Sequence, residues 1–278
     1  MSDFYQLPAK KSLGQHFLKN PHVIDAIVDA ATLEHGEIVL EIGPGTGALT
    51  ETLLASGAHV IAIEADDRAI PLLAERFSEA LLSGQLALHH TDVRTSDFGQ
   101  FIEPNTPYTI VANIPYYLSG MLVRGALERD HQPEKVVFLV QKEVAERIAR
   151  SEKESLLSLS VKAYGEPSYI ATVKRGNFTP PPAVDSAILA IRNISKKRFT
   201  QPAGSLDNPL DEHWFFTVLH AGFAARRKQL FGNLLAIAPH KALEEAFATL
   251  GIARTTRGED LSIDTWCALA QALVHVQK

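Results

Sequence analysis

Residues 38–50 read IVLEIGPGTGALT. A short apolar run, broken only by Glu41, leads into glycines at 43, 45 and 47. Leucines at 49, 53 and 54 then follow at helical spacing. An apolar run too short for a helix and without polar alternation is what a strand buried on both faces requires. The glycines let that strand turn sharply into a helix and keep side chains out of the way, so a ligand can touch the backbone. Strand, glycine turn and helix together open an α/β sheet that binds a small molecule at its strand ends.

The same pattern repeats outward. HVIAI (59–63), QLALH (85–89), YTIVA (108–112) and VVFLV (136–140) are further short apolar runs, separated by helical segments such as the one carrying Leu72, Leu73 and Phe77. Strands alternating with helices predict a doubly wound, Rossmann-like parallel sheet. Only the stretch around FTPPPA separates PSYIATVK (167–174) from AILAIRNI (187–194), too little for a crossover helix. These two strands should pair antiparallel as an edge hairpin. Residues 196–213 are rich in Pro, Gly and charge and read as a linker. From Trp214 onward the pattern is helical throughout, a small all-helical C-terminal domain. The expected division is 1–20, a closing segment; 21–195, the sheet domain; 196–213, the linker; and 214–278, the helical domain.

With 278 residues, 46% of them apolar, the chain can bury a sizeable core. No apolar run approaches the ~20 residues of a membrane span, and the start MSDFYQLPAKKSLG resembles no export signal, so a cytoplasmic protein without a membrane partner is expected. The lone Cys267 excludes an intrachain disulfide and a cysteine-based zinc site, and no metal is expected. Net charge is −5, but it is unevenly spread. Residues 171–235 carry nine basic and four acidic side chains, and residues 1–22 are also net basic, so an acidic body is flanked by two basic segments. Such lips suit a polyanion.

The loop lacks G-x-G-x-x-G spacing, and a carboxylate on the strand itself, Glu41, suits a cationic cofactor better than a pyrophosphate. Glu64 ends the second strand, where it can accept from both ribose hydroxyls. Asp92, after the third strand, can accept from an adenine amino group. Acids at successive strand ends around a glycine loop resemble the S-adenosylmethionine-dependent methyltransferases. The fourth strand ends in VANIPYY (111–117). Methylating an exocyclic amine requires its lone pair to face a sulfonium methyl. The Asn113 side-chain oxygen and the Ile114 carbonyl can accept the amine hydrogens, Pro115 fixes that carbonyl, and Tyr116 can stack on the base. No strong general base is needed; the work is positioning.

With these motifs in hand, the chain resembles the ribosomal RNA adenine dimethyltransferase family over nearly its whole length. KKSLGQHFLKN (10–20) is similar to the family's amino-terminal G-Q-N-F-L segment, with His16 where many members have asparagine. The resemblance implies cofactor contacts at His16, Leu18, Gly43, Glu64, Asp92 and Asn113. QKEVAERI (141–148) resembles the segment after the fifth strand, and FTPPPAVDSAIL (178–189) the F-x-P-x-P-x-V-x-S stretch. The latter places Phe178 over the pocket, to sandwich the base with Tyr116. HAGFAARRKQLFGNL (220–234) resembles the basic helix of the small-subunit members, with Arg226, Arg227 and Lys228 on phosphate and Lys196, Lys197 and Arg198 nearby. The terminal RGEDLSIDTWCALAQAL resembles their last helix. The expected enzyme is a monomer that uses S-adenosylmethionine to dimethylate N6 of two adjacent adenosines near the 3′ end of small-subunit rRNA, within an immature ribosomal subunit. A large-subunit methylase of the macrolide-resistance type and a non-enzymatic RNA-binding or transcription factor on the same fold are the alternatives.

Overall fold

In the computed structural model of the chain, residues 7–201, 209–225 and 227–274 are described. The chain divides into two compact units, Met1–Glu146 with Glu166–Ile194, and Arg147–Gly165 with Ser195–Lys278.

Among the described residues the first unit holds nine strands: β1 (Phe17–Leu18), β2 (Ile38–Ile42), β3 (His59–Glu64), β4 (Leu86–His90), β5 (Tyr108–Asn113), β6 (Lys135–Gln141), β7 (Glu166–Val173), β8 (Phe178–Thr179) and β9 (Ser186–Arg192). Seven form one sheet in the order β4-β3-β2-β5-β6-β9-β7. Strands β2 to β6 run parallel, as the uninterrupted apolar runs require. The expected hairpin is present: β9 pairs antiparallel with β6 and with β7, which takes the edge. Strand order reverses between β2 and β5, so the loops after these two strands diverge and open a crevice at their carboxyl ends.

Helices α1 (Pro21–Ala31), α2 (Ala48–Ala55), α3 (Ala69–Arg76), α4 (Ser78–Ser83) and α5 (Ser119–Leu127) follow the strands, and α6 (Lys142–Ala149) follows β6. Asn20 caps α1 by accepting from the His22 amide at 3.1 Å, and Pro21 sits where a helix has no use for its amide. Ile27, Leu53 and Leu73 from the first three helices close over Val39, Val111 and Val137 of the sheet. Burial of each such side chain contributes about 1.5–3 kcal/mol. β1 pairs with β8 outside the main sheet, Leu18 opposite Phe178, so the amino-terminal segment straps across to the hairpin. Among the described residues no helix is long and apolar enough to cross a membrane.

The second unit is helical: α7 (Leu156–Tyr164), α8 (Lys197–Thr200), α9 (Glu212–Gly222), α10 (Leu230–Leu234), α11 (His240–Thr249) and α12 (Ile263–Ala272). Its core is built on Trp214, Phe215 and Trp266; the Trp214 indole donates to the Ala270 carbonyl and that of Trp266 to Gly258. One expectation is corrected here. The stretch 220–234 is not one basic helix: α9 stops at Gly222 and α10 starts at Leu230. The buried Asn233 amide donates to the Gly222 carbonyl at 2.7 Å and to the Ala225 carbonyl at 3.2 Å, taking the acceptors a continuing helix would use. Arg227 and Lys228 are exposed on the intervening turn; Arg226 lies outside the described residues. Lys196 and Arg198 are also not free for phosphate, being paired with Glu212 at 3.3 Å and Asp264 at 2.7 Å.

Candidate active site

The glycine turn opens the crevice. Gly43, Gly45 and Gly47 all have left-handed φ, of 74°, 56° and 80°. A Cβ on Gly47 would lie 2.6 Å from Phe77 Cε2, and one on Gly45 would lie 3.0 Å from Phe17 Cε1, so any other residue would be strained there by both conformation and contact. Gly43 has nothing within 4 Å on its Cβ side, which leaves its backbone open to a ligand. Its amide is held by the Ile63 carbonyl of β3 at 2.9 Å.

Two carboxylates flank this turn. Glu41, 1% exposed, accepts from the Thr50 hydroxyl at 2.6 Å through Oε2, while its Oε1 is buried with no hydrogen-bond partner among the described residues. Burial, with the nearby Glu64 charge adding to it, pushes its carboxyl up to about 8. Glu64 accepts the Gly45 and Asp66 amides, one on each oxygen, at 2.9 and 2.8 Å. Burial still raises its pKa against those donors. Each of its oxygens keeps a second lone pair for a hydroxyl. Asp92 is exposed enough to be gripped by Arg94, whose guanidinium holds its carboxyl below the usual range.

The end of β5 meets the strap. The Asn113 side-chain nitrogen donates to the His16 carbonyl at 3.0 Å, which fixes the amide orientation and leaves Oδ1 as the acceptor that this bond does not use. The His16 ring donates from Nδ1 to the Pro180 carbonyl at 2.8 Å, since a carbonyl can only accept. It also lies over Tyr116, centroids 5.8 Å apart and planes 28° apart. Tyr116, half-buried, shares a 2.6 Å hydroxyl bond with Ser186. Phe178 is only 2% exposed; it reaches the cavity from the core side, and the ring stacked on Tyr116 is that of His16. The Asp66 carboxylate, not foreseen from sequence, joins the strap to the cofactor side: it accepts from Gln15 at 2.8 Å and is held strongly acidic by Arg68 at 2.6 Å.

All ten residues expected from the sequence at the cofactor and base positions line one cavity: His16, Leu18, Gly43, Glu64, Asp92, Asn113, Ile114, Pro115, Tyr116 and Phe178. Arg227 and Lys228 belong to the second unit and are not among its lining. The donor set fits a cationic nucleoside cofactor. An orphaned buried carboxylate oxygen calls for a cation, and Glu64 and Asp92 offer acceptors for ribose and a base amine, beside an open glycine backbone.

Sheet order, glycine turn and strand-end acids define a Rossmann-like methyltransferase. The chain belongs to the ribosomal RNA adenine dimethylase family, whose sequence model matches residues 7–274. It is 38% identical over 270 residues to Ribosomal RNA small subunit methyltransferase A of Dehalococcoides mccartyi, covering 96% of this chain and 89% of that one. The protein of that name from Bacillus pumilus is 37% identical, over 97% of this chain and 92% of its own. Among solved structures, a dimethyladenosine transferase from Plasmodium falciparum superposes with TM-score 0.77 at 26% identity, over 94% of this chain and 99% of that one. The 23S rRNA methyltransferase ErmE does so with TM-score 0.71 at 25% identity, over 92% and 99%.

Proposed function

We propose that this methyltransferase uses S-adenosylmethionine to convert two adjacent adenosines, in a hairpin near the 3′ end of small-subunit rRNA, to N6,N6-dimethyladenosine. We place it in the cytoplasm as a monomer acting on an immature subunit. The observation that carries this reading is the Asn113 amide. Its nitrogen donates to the His16 carbonyl, so its oxygen is the group left to accept from a target amine, in the lining of the cavity that fits the cofactor.

When bound, the cofactor supplies a methyl group on a positively charged sulfur. The chain's own residues then have three tasks. Glu41 and Glu64 hold the cationic and ribose parts. Asn113 Oδ1 and the Ile114 carbonyl accept the two N6 hydrogens, which draws the lone pair out of the adenine ring and points it at the methyl carbon. Tyr116 stacks on a base flipped out of its loop, with His16 and Phe178 lining the same cavity. A cofactor held there would supply the methyl group to N6 so placed, and the N6 proton, made acidic by alkylation, would leave to solvent. The monomethylated base re-enters for the second transfer. The names of the small-subunit relatives support the substrate, and the turn carrying Arg227 and Lys228 supports a polyanionic partner.

Tritiated S-adenosylmethionine with small and large ribosomal subunits from a strain lacking this activity tests the reading. Label in the small subunit, recovered as dimethyladenosine, is the expected result. Label in the large subunit would move the enzyme to the ErmE-like substrate, and no label in either would leave an RNA-binding protein.

A further inference from the structure

Tyr117 follows Tyr116 directly, yet the two rings have different surroundings. Tyr116 is half-buried and bonded to Ser186, whereas Tyr117 is 55% exposed. Its ring rests on the strap: a Cβ on Gly14 would lie 3.0 Å from Tyr117 Cε1 and 3.4 Å from Pro115 Cβ. The same ring lines the mouth of the cofactor cavity. The chain then runs into α5, where Met121 is also exposed. Gly120 has nothing within 4 Å of its Cβ position, so the space over it is open. Arg124 is exposed; its Nε donates to the Gly120 carbonyl at 3.3 Å, and its terminal nitrogens have no partner among the described residues. Tyr117 lies in the short 3₁₀ turn Tyr116–Leu118 just before α5, and on α5 itself Gly120 and Met121 share a face with Arg124 at four- and three-residue spacing. An exposed tyrosine in the cavity lining, an exposed methionine and an exposed arginine thus follow one another within eight residues.

We propose that this ridge seats the nucleotide next to the target adenosine, its base stacked on Tyr117 against Met121 and its phosphate held by Arg124. The proposal rests on the substrate reading above. Two adjacent adenosines make the neighbour's position a necessary question, because a base drawn into the cavity leaves its neighbour one backbone step away, at the mouth. That neighbour has lost its stacking partner to the cavity, and an exposed aromatic face replaces it. Tyr117 is one residue along from Tyr116 and open to solvent, and the cation one turn beyond Met121 matches the charge of the strand.

The test is steady-state methylation of undermethylated small subunits by the wild-type chain and by Tyr117→Ala, Tyr117→Phe and Arg124→Ala, with cofactor affinity measured separately by calorimetry. Losing one base–aromatic stack should raise KM for the subunit about 5- to 150-fold in Tyr117→Ala. That loss should fall on KM rather than kcat, and Tyr117→Phe should restore it. Arg124→Ala should lower the salt dependence of subunit binding by roughly one unit of slope. An unchanged KM in Tyr117→Ala with an active wild type would overturn the ridge alone. So would a loss of cofactor affinity as large as the loss in kcat/KM, which would show the ring only bracing the strap. If the wild type leaves the small subunit unlabelled, the substrate reading fails and the ridge with it.

Discussion

Two side chains in the cavity do most to define it, and each makes a distinct prediction. Asn113 spends its nitrogen on the His16 carbonyl and keeps its oxygen for substrate. Asn113→Ala therefore removes one ordinary hydrogen bond from the strap, worth about 1 kcal/mol, so cofactor affinity should fall no more than about five-fold. Methyl transfer, which depends on aiming the amine, should fall about 100-fold or more. Single-turnover rates at saturating cofactor separate the two, and an unchanged transfer rate would remove Asn113 from the chemistry. Glu41 is the opposite case, a carboxylate whose environment opposes its charge. Burial raises its carboxyl from 4.5 to about 8 in the folded chain. The folded state thus holds this proton more tightly than the unfolded one. The associated stability is complete below pH 4.5 and is lost as pH rises toward 8. Without cofactor, the wild type should lose roughly 2 kcal/mol relative to Glu41→Gln between pH 6 and 8. Parallel stability curves for the two would show that Glu41 is not neutral in the empty site. Gln should also weaken cofactor binding, since an amide cannot balance a cation.

At the scale of elements, the glycine turn is fixed by its neighbours as well as by conformation. Gly47→Ala must bear both a left-handed φ and a Cβ 2.6 Å from the Phe77 ring and 2.9 Å from Leu73, together about 2–4 kcal/mol. Gly36→Ala, at φ 82° with open space around it, bears only the first, about 1–2 kcal/mol. Urea midpoints of the two should differ in that order; equal shifts would mean that Phe77 and Leu73 yield freely. The sequence made this layer legible because each strand is an apolar run and most site residues follow a strand end. Seven of the ten cavity residues, Gly43, Glu64, Asp92, Asn113, Ile114, Pro115 and Tyr116, follow from that rule, whereas His16, Leu18 and Phe178 came only from the family resemblance. What it could not show are bonds between distant segments. The Asn113–His16 bond spans 97 positions and the Gln15–Asp66 bond spans 51, and neither residue pair has a local pattern to announce it. The end of α9 was hidden for the same reason. Gly222 lies where a Cβ would meet Trp266 at 2.3 Å, and its carbonyl is taken by Asn233, both decided by residues outside the helix. By contrast, the Asn20–Pro21 start of α1 is a signal that local reading contains.

For the whole molecule the question is how an enzyme of net charge −5 engages a polyanion. Its basic residues are not equally available. Lys196 and Arg198 are tied to Glu212 and Asp264, whereas Arg227 and Lys228 are exposed on a turn whose ends Asn233 fixes. Fixing the turn matters because a held cation spends less ordering entropy on meeting phosphate than one on a loose loop. Three consequences follow for binding of the small subunit. Replacing Arg226, Arg227 and Lys228 by Ala should weaken it and flatten its salt dependence by roughly one unit of slope for each phosphate left without its cation. Replacing Lys196 and Arg198 should change that slope little, because each already has a carboxylate partner. Asn233→Leu leaves every charge in place but frees the turn, so affinity should drop while the slope stays near that of the wild type. Titrations of labelled subunits across a salt series read all three. If the triple variant kept the wild-type slope, the turn would not touch the RNA backbone. The acidic body would then have to be recruited through shape and the cavity mouth alone.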